Sequence, residues 1–335
     1  MKQALNQLFV AAVAALAFSV AGCGDAGSAD GGKRQVAVIA KSTVNAYWKA
    51  VEAGANEAAE EAGVEILWTG PDAETNHTQQ ANMVDNMVNR GVAGVVLAPT
   101  NVDALVRPVE TAVAKGVPVI LIDSTLNSDE PTSVIATDNY AAGQQAAEAL
   151  IAAIGTDRPH GGKVIMLRYL EGSGSTEARE QGFADRIGQE SGLELVDSAY
   201  TKGGGSTTDA ADTADALLRR FTEGNAVAVD GIFASNQPTA IGMLRTIEKF
   251  EASGTSVEAA YVGFDAHEVL LAGIRDGKIA AIVTQDPKQM GYKGVMAMVD
   301  HLDGKNVPAS VATSTLTVTA DNIDEPATKA ITLEE

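Results

Sequence analysis

Side chains able to do chemistry recur in this sequence directly after short apolar runs. Asp123 and Ser124 follow PVILI (118–122), and Asn236 and Gln237 follow GIFAS (231–235). Phe264 and Asp265 follow AAYVG (259–263), and Gln285 and Asp286 follow AAIVT (280–284). Lys41, Asn45, Tyr47 and Trp48 come after VAVIA (36–40), while KVIML (163–167) opens into Arg168 and a Gly/Ser loop leading to Arg179. A set of carboxylates, amides and a guanidinium suits an uncharged polyol. A sugar hydroxyl both donates and accepts; Asp accepts, Arg donates, and Asn or Gln does either. Bonds to charged partners contribute ~1.5–3 kcal/mol each. The adjacent rings of Tyr47 and Trp48 offer plates for the C–H face of a sugar. About −8.2 kcal/mol is enough for a micromolar complex, so four or five such bonds plus stacking need neither metal nor cofactor.

Other chemistries find little support. His77, His160, His267 and His301 are scattered without metal-like spacing. GGGSTT (203–208) exposes backbone amides but lacks the full phosphate-loop spacing. EGSGSTEARE (171–180) has neither a nucleophile elbow nor an evident histidine partner. One cysteine in 335 residues cannot build a disulfide framework.

For these groups to act together, the chain must bring them to one place. Ten Val- and Ile-rich runs alternate with amphipathic stretches such as Ala46–Ala62, Thr75–Arg90, Val102–Lys115 and Tyr140–Ile154. The remaining runs are VEILW (64–68), GVVLA (94–98), SVIAT (133–137) and LELVD (193–197). Continuous apolar strands alternating with helices imply an α/β fold of doubly wound parallel sheets, covered on both faces. Gly63, Gly91 and Gly116 stand where helices need left-handed caps. Ten strands are many for one open sheet, so two lobes are expected. Ligands of such sheets collect at the carboxyl ends of strands, where the polar residues lie.

With 44 acidic against 24 basic residues the formal charge is −20, which disfavours nucleic acid as a partner. The apolar run Leu8–Ala21 would span about 21 Å as a helix, short of a ~30 Å bilayer core. It suits an export signal. Val20-Ala21-Gly22-Cys23 resembles a bacterial lipobox, which predicts a leader over residues 1–22, lipidation at Cys23 and a flexible tether over 23–33.

Seven ordered segments resemble the periplasmic sugar-binding proteins of the ribose/galactose type, the substrate-receiving components of ABC importers. They are STVNAYW (42–48), VILIDS (119–124), ATDNYAAG (136–143), AREQGF (178–183), FASNQPTAIGMLR (233–245), VGFDA (262–266) and QDPKQMGYKGV (285–295). The resemblance implies a type I periplasmic binding protein: two similar lobes joined by three hinge crossings, near 137–138, 285–286 and 313–315. The lobes would comprise residues 34–137 with 286–313, and 138–285 with 314–335.

By the same resemblance, Asn45, Asn236 and Gln285 would be amide ligands, Asp123 and Asp265 hydroxyl acceptors, Arg179 a donor, and Tyr47 and Trp48 the stacking pair. Lys41 and Ser124 are added from their positions. Two departures blur the ligand. Ser124 stands where the ribose pattern has arginine, and YTKGGGSTT (200–208) stands where a third aromatic is expected. The expectation is a monomeric, lipid-anchored, non-enzymatic receptor for a sugar or polyol, partnered by an ABC permease and its ATPase. Three alternatives remain open: a sensor feeding a chemoreceptor or kinase, a furanosyl-signal receptor, and an envelope carbohydrate enzyme using Asp123 with Asp265.

Overall fold

A computed structural model describes residues 33–332. The leader, the tether and Cys23 lie outside the described residues. From Arg34 onward the chain forms one compact unit, and strands and helices alternate almost throughout. The first stretch runs β1 (Gln35–Ile39), α1 (Ala46–Ala62), β2 (Glu65–Thr69), α2 (His77–Arg90), β3 (Gly94–Leu97), α3 (Val106–Ala114), β4 (Val119–Ile122) and β5 (Ser133–Thr137). There follow α4 (Asn139–Ile154), β6 (Lys163–Arg168), α5 (Gly174–Gly188), β7 (Glu194–Tyr200), α6 (Thr207–Arg220), and a hairpin of β8 (Thr222–Glu223) and β9 (Ala226–Val227). The last elements are β10 (Gly231–Ala234), α7 (Gln237–Ala252), β11 (Ala260–Phe264), α8 (Glu268–Arg275), β12 (Ala281–Gln285), α9 (Pro287–Leu302), β13 (Ser310–Thr313), β14 (Thr315–Val318) and α10 (Pro326–Thr332).

Two six-stranded sheets result, ordered β13-β5-β4-β3-β1-β2 and β14-β12-β11-β10-β6-β7. All pairings within them are parallel except β12 with β14. In each sheet the first-formed strand, β1 or β6, is flanked by the next two, so the lobes repeat one winding pattern. Both faces of each sheet carry a hydrophobic core. That explains why the strands read as unbroken apolar runs: a strand buried on both sides has no polar face to alternate.

The chain passes between sheets three times: after Thr137, after Gln285, and at Ser314 between β13 and β14. Side chains stitch these crossings together. The Thr137 hydroxyl donates to Gln285 Oε1 at 2.8 Å and lies 3.2 Å from the Thr313 hydroxyl.

Each lobe also holds one very close helix pair. At α4 against α5, a Cβ on Gly143 would sit 1.9 Å from the Arg179 carbonyl oxygen. Only a residue without a side chain permits that approach, which fixes the height of α5 and of Arg179.

Sequence reading and structure differ in places. The helix expected from Val102 begins at Val106, because Asn101 Oδ1 accepts from the amides of Asp103 and Ala104 and holds a turn. The helix expected from Thr75 starts at His77 behind its Asn76 cap. Strands β13 and β14 and the β8–β9 hairpin carry no apolar run of the kind that marks the other strands. No helix among the described residues is long and apolar enough to cross a membrane.

Candidate functional site

Nine of the ten sequence-predicted ligand residues line a single cavity, whose empty volume, mouth included, is ≈ 380 Å³. Only ≈ 40 Å³ of it admits the centre of a water-sized sphere, so the space is tight. Lys41, Asn45, Tyr47, Trp48 and Asp123 come from the first lobe; Arg179, Asn236 and Asp265 come from the second; Gln285 comes from a crossing. The exception is Ser124, which is buried behind Asp123 and does not line the space.

Asp123 and Asp265 occupy matching places, one residue past β4 and β11. Their φ angles are 66° and 68°, and among the described residues they are the only non-glycine residues with positive φ. The left-handed region is costly for most side chains, though Asp and Asn visit it more readily. Strain of this kind persists where the surroundings over-determine it, commonly at functional sites.

The two carboxylates differ electrically. Burial works against ionisation of Asp123, but Lys41, Tyr47 and Arg179 outweigh it and hold its carboxyl below the usual aspartate range. For Asp265 burial prevails over Arg179, Gln285 and the Gln237 amide, so its carboxyl is raised. Asp123 Oδ1 accepts from the Tyr47 hydroxyl at 2.9 Å, and Oδ2 lies 2.6 Å from Lys41 Nζ. Asp265 accepts from the Gln237 amide at 3.0 Å and from Gln285 Nε2 at 2.7 Å.

Arg179 lies between them on α5, only 1% exposed. One terminal nitrogen donates to the Ser235 carbonyl and the other to Asn139 Oδ1 at 2.7 Å, while the guanidinium rests 3.5 Å above the Phe264 ring centre. Its Nε is buried and has no partner among the described residues. An unpaired buried donor is rare in native proteins, and Arg179 is one of the residues that line the cavity.

Asn45 and Asn236 each perform two tasks. Asn45 caps α1 by accepting from the Trp48 amide at 3.0 Å; Asn236 caps α7 by accepting from the Thr239 amide at 3.2 Å. Capping uses the oxygen, and neither side-chain nitrogen has a partner among the described residues. Both amides can therefore donate into the cavity.

The aromatic pair is not a flat double plate. Tyr47 and Trp48 meet edge to face at 87°, with ring centres 5.0 Å apart. Trp48 is 2% exposed, joins the core beneath the first sheet, and donates from Nε1 to Glu74 Oε1 at 3.1 Å.

Gln237, noted at its strand end, lines the cavity as well. Glu74, Ser173, Ser175, Thr176 and Pro238 also border it, with no sign in the sequence pattern, as does Tyr169. Burial raises the Glu74 carboxyl, which lies beside the Tyr169 hydroxyl. Tyr169 follows β6 directly, so the strand-end rule would have found it. The glycine loop does not line the space; a Cβ on Gly205 would come 2.7 Å from the Tyr169 hydroxyl, so the loop's bareness makes room for that ring. Tyr200 and Arg168 also lie outside. Arg168 donates to Glu180 Oε2 at 2.7 Å and stacks over Tyr200 at 3.9 Å.

The profile of a family described as "Periplasmic binding protein domain" matches residues 36–306. The chain belongs to the periplasmic binding protein family. Among its relatives, the ribose import binding protein of Bacillus subtilis is 28% identical over 290 residues, 85% of this chain and 88% of that one. A carbohydrate transporter solute-binding protein of Agrobacterium radiobacter, solved with D-arabinose, superposes with a TM-score of 0.82 at 32% identity, covering 90% of this chain and 99% of that one. An ABC transporter solute-binding protein of Agrobacterium vitis with bound D-fucose gives 0.81 at 36% identity, covering 89% and 99%. The two α/β lobes expected from the sequence are those of this family.

Proposed function

We propose that this protein is an exported, non-enzymatic receptor that captures one monosaccharide or small polyol between its lobes and delivers it to an ABC importer. One observation carries the reading. Two carboxylates on left-handed backbones, at equivalent strand ends of separate sheets, border one small cavity together with Arg179, whose buried Nε has no partner among the described residues. Asn45, Asn236 and Arg179 supply donors, and the remaining acceptor positions of Asp265 take ligand hydroxyls. Tyr47, Trp48 and Tyr169 wall the apolar side. Gln285 acts at the hinge and the site together. Residues 34–137 with 286–313 and 138–285 with 314–335 are the closing bodies, and Cys23 is the lipid anchor. The relatives that carry ribose, arabinose and fucose support a sugar-sized ligand.

The test is a thermal-shift panel of D-ribose, D-arabinose, D-fucose, other aldoses, ketoses, alditols and disaccharides. A ligand at one hundred times its dissociation constant adds ~2.7 kcal/mol to apparent stability. At least one monosaccharide or alditol should raise the melting temperature and be recovered unchanged. No shift from any member, or conversion of a sugar to product, would overturn the proposal.

A further inference from the structure

Lys41 is a lysine buried to 3% exposure in the lining of a site meant for an uncharged ligand. Its ammonium lies 2.6 Å from Asp123 Oδ2, 2.6 Å from Ser124 Oγ and 3.0 Å from Ser175 Oγ, with Ser173 Oγ at 3.4 Å. An ammonium has three N–H donors. Two partners on its own lobe and one across the cleft use all three, so none is left to point at a ligand.

Asp123 Oδ2 is equally occupied. Besides Lys41, it accepts from the Ser124 hydroxyl at 3.1 Å and the Ser175 hydroxyl at 3.3 Å. Each carboxylate oxygen offers about two acceptor positions; Lys41, Ser124 and Ser175 all converge on Oδ2 and saturate it, while Oδ1 accepts only from Tyr47 and keeps one position open. Ser173 is the N-cap of α5 and Ser175 lies in its first turn, in the second lobe; Lys41, Asp123 and Ser124 belong to the first. Two further bonds join the same edges: the Ser175 amide donates to Ser124 Oγ at 3.2 Å, and the Val102 amide to the Gly172 carbonyl at 3.1 Å. Every one of these bonds is protein to protein.

We propose that Lys41 is a positioning residue and not a sugar ligand: with Asp123 and Ser124 it forms a latch that grips Ser173 and Ser175 across the cleft and favours the closed form before any ligand arrives. This deepens the receptor reading and rests on it only for the binding arm of the test. The latch lowers the cost of closure that a ligand would otherwise have to supply, so it raises affinity without touching the sugar. It also commits Asp123 Oδ2, so that only Oδ1 of that carboxylate is left to join Arg179, Asn45, Asn236 and Asp265 in recognition.

The experiment is small-angle scattering of the full protein without sugar, comparing wild type, Lys41→Met and the double variant Ser173→Ala/Ser175→Ala. Circular dichroism melts accompany each. Loss of a charge-assisted bond should shift the open-to-closed ratio on the order of tenfold to a hundredfold. Both variants should therefore show a larger radius of gyration than wild type. For any sugar that binds wild type, both should bind more weakly by a similar factor. If Lys41→Met fails to fold around an unpaired Asp123, the serine variant, which leaves the first lobe intact, still decides the matter.

Equal radii in the folded variants and wild type would overturn the latch. So would a loss of affinity in Lys41→Met without expansion, which would make Lys41 a ligand. The scattering arm contains no sugar, so its failure leaves the receptor reading untouched. Failure of every sugar to bind would leave the latch untouched.

Discussion

Arg179→Met probes packing, electrostatics and recognition at once. Methionine keeps much of the aliphatic reach but removes the guanidinium that bonds the Ser235 carbonyl and Asn139 and covers Phe264. Two charge-assisted bonds are worth ~1.5–3 kcal/mol each, and a desolvated cation over a ring adds ~2 kcal/mol. Burial acts against the guanidinium's charge, so part of this total returns when the ion is deleted. The net loss of folding stability should be about 3–5 kcal/mol, as for breaking other buried ion pairs. At ~2 °C per kcal/mol for a chain of this size, that lowers the melting temperature by roughly 6–10 °C.

The deficit should depend on pH. Without Arg179 the Asp265 carboxyl, already raised by burial, rises further. A carboxyl whose folded value exceeds its unfolded value contributes stability that is complete below the unfolded value and is lost as pH climbs through the folded one. The variant should therefore lie closer to wild type near pH 4 than near pH 7. Adding Asp265→Asn should recover part of the loss, giving a coupling of the size expected for contacting residues. Chemical denaturation at the two pH values measures all of this. Equal stability of Arg179→Met and wild type at pH 7, or a deficit that grows on acidification, would refute the reasoning.

Other substitutions test neighbouring links. Gly143→Ala forces a methyl to within 1.9 Å of the Arg179 carbonyl; it should cost ~1–3 kcal/mol or more by overpacking and be seen as a lower denaturation midpoint. Asp123→Asn removes a carboxyl held below its ordinary range by Lys41, Tyr47 and Arg179. Wild type should lose that contribution as pH falls through the lowered value, so the variant should be less stable at pH 7 and show a shallower acid decline in melting curves. Trp48→Ala should cost ~3–5 kcal/mol in the sugar-free protein, since the ring is buried in the first lobe's core; an unchanged melt would instead mark it as a plate reserved for ligand.

The parallel lobes were legible because double-sided burial writes each strand as an apolar run, and the strand-end rule then pointed to Asp123, Asn236, Asp265 and Gln285. β13 and β14 were not, for a physical reason. They are edge strands at a crossing, threonine-rich and partly exposed, so they lack the apolar signal. Asn45 and Asn236 illustrate a subtler point: cap and candidate ligand are the same residue, one amide atom serving each. What no local pattern could disclose was the pairing of Lys41 with Ser175, 134 positions away, or the Tyr47 hydroxyl on Asp123. The first exists only once two sheets face each other, and the second only once α1 packs beside the end of β4.

The most direct measurement is a crystal structure of the protein with the sugar giving the largest thermal shift. The account predicts one ring in the space between the sheets, accepting from Arg179 Nε and the side-chain nitrogens of Asn45 and Asn236, and donating to Asp265. Density for the sugar on an outer surface, or contacts confined to one lobe, would contradict it.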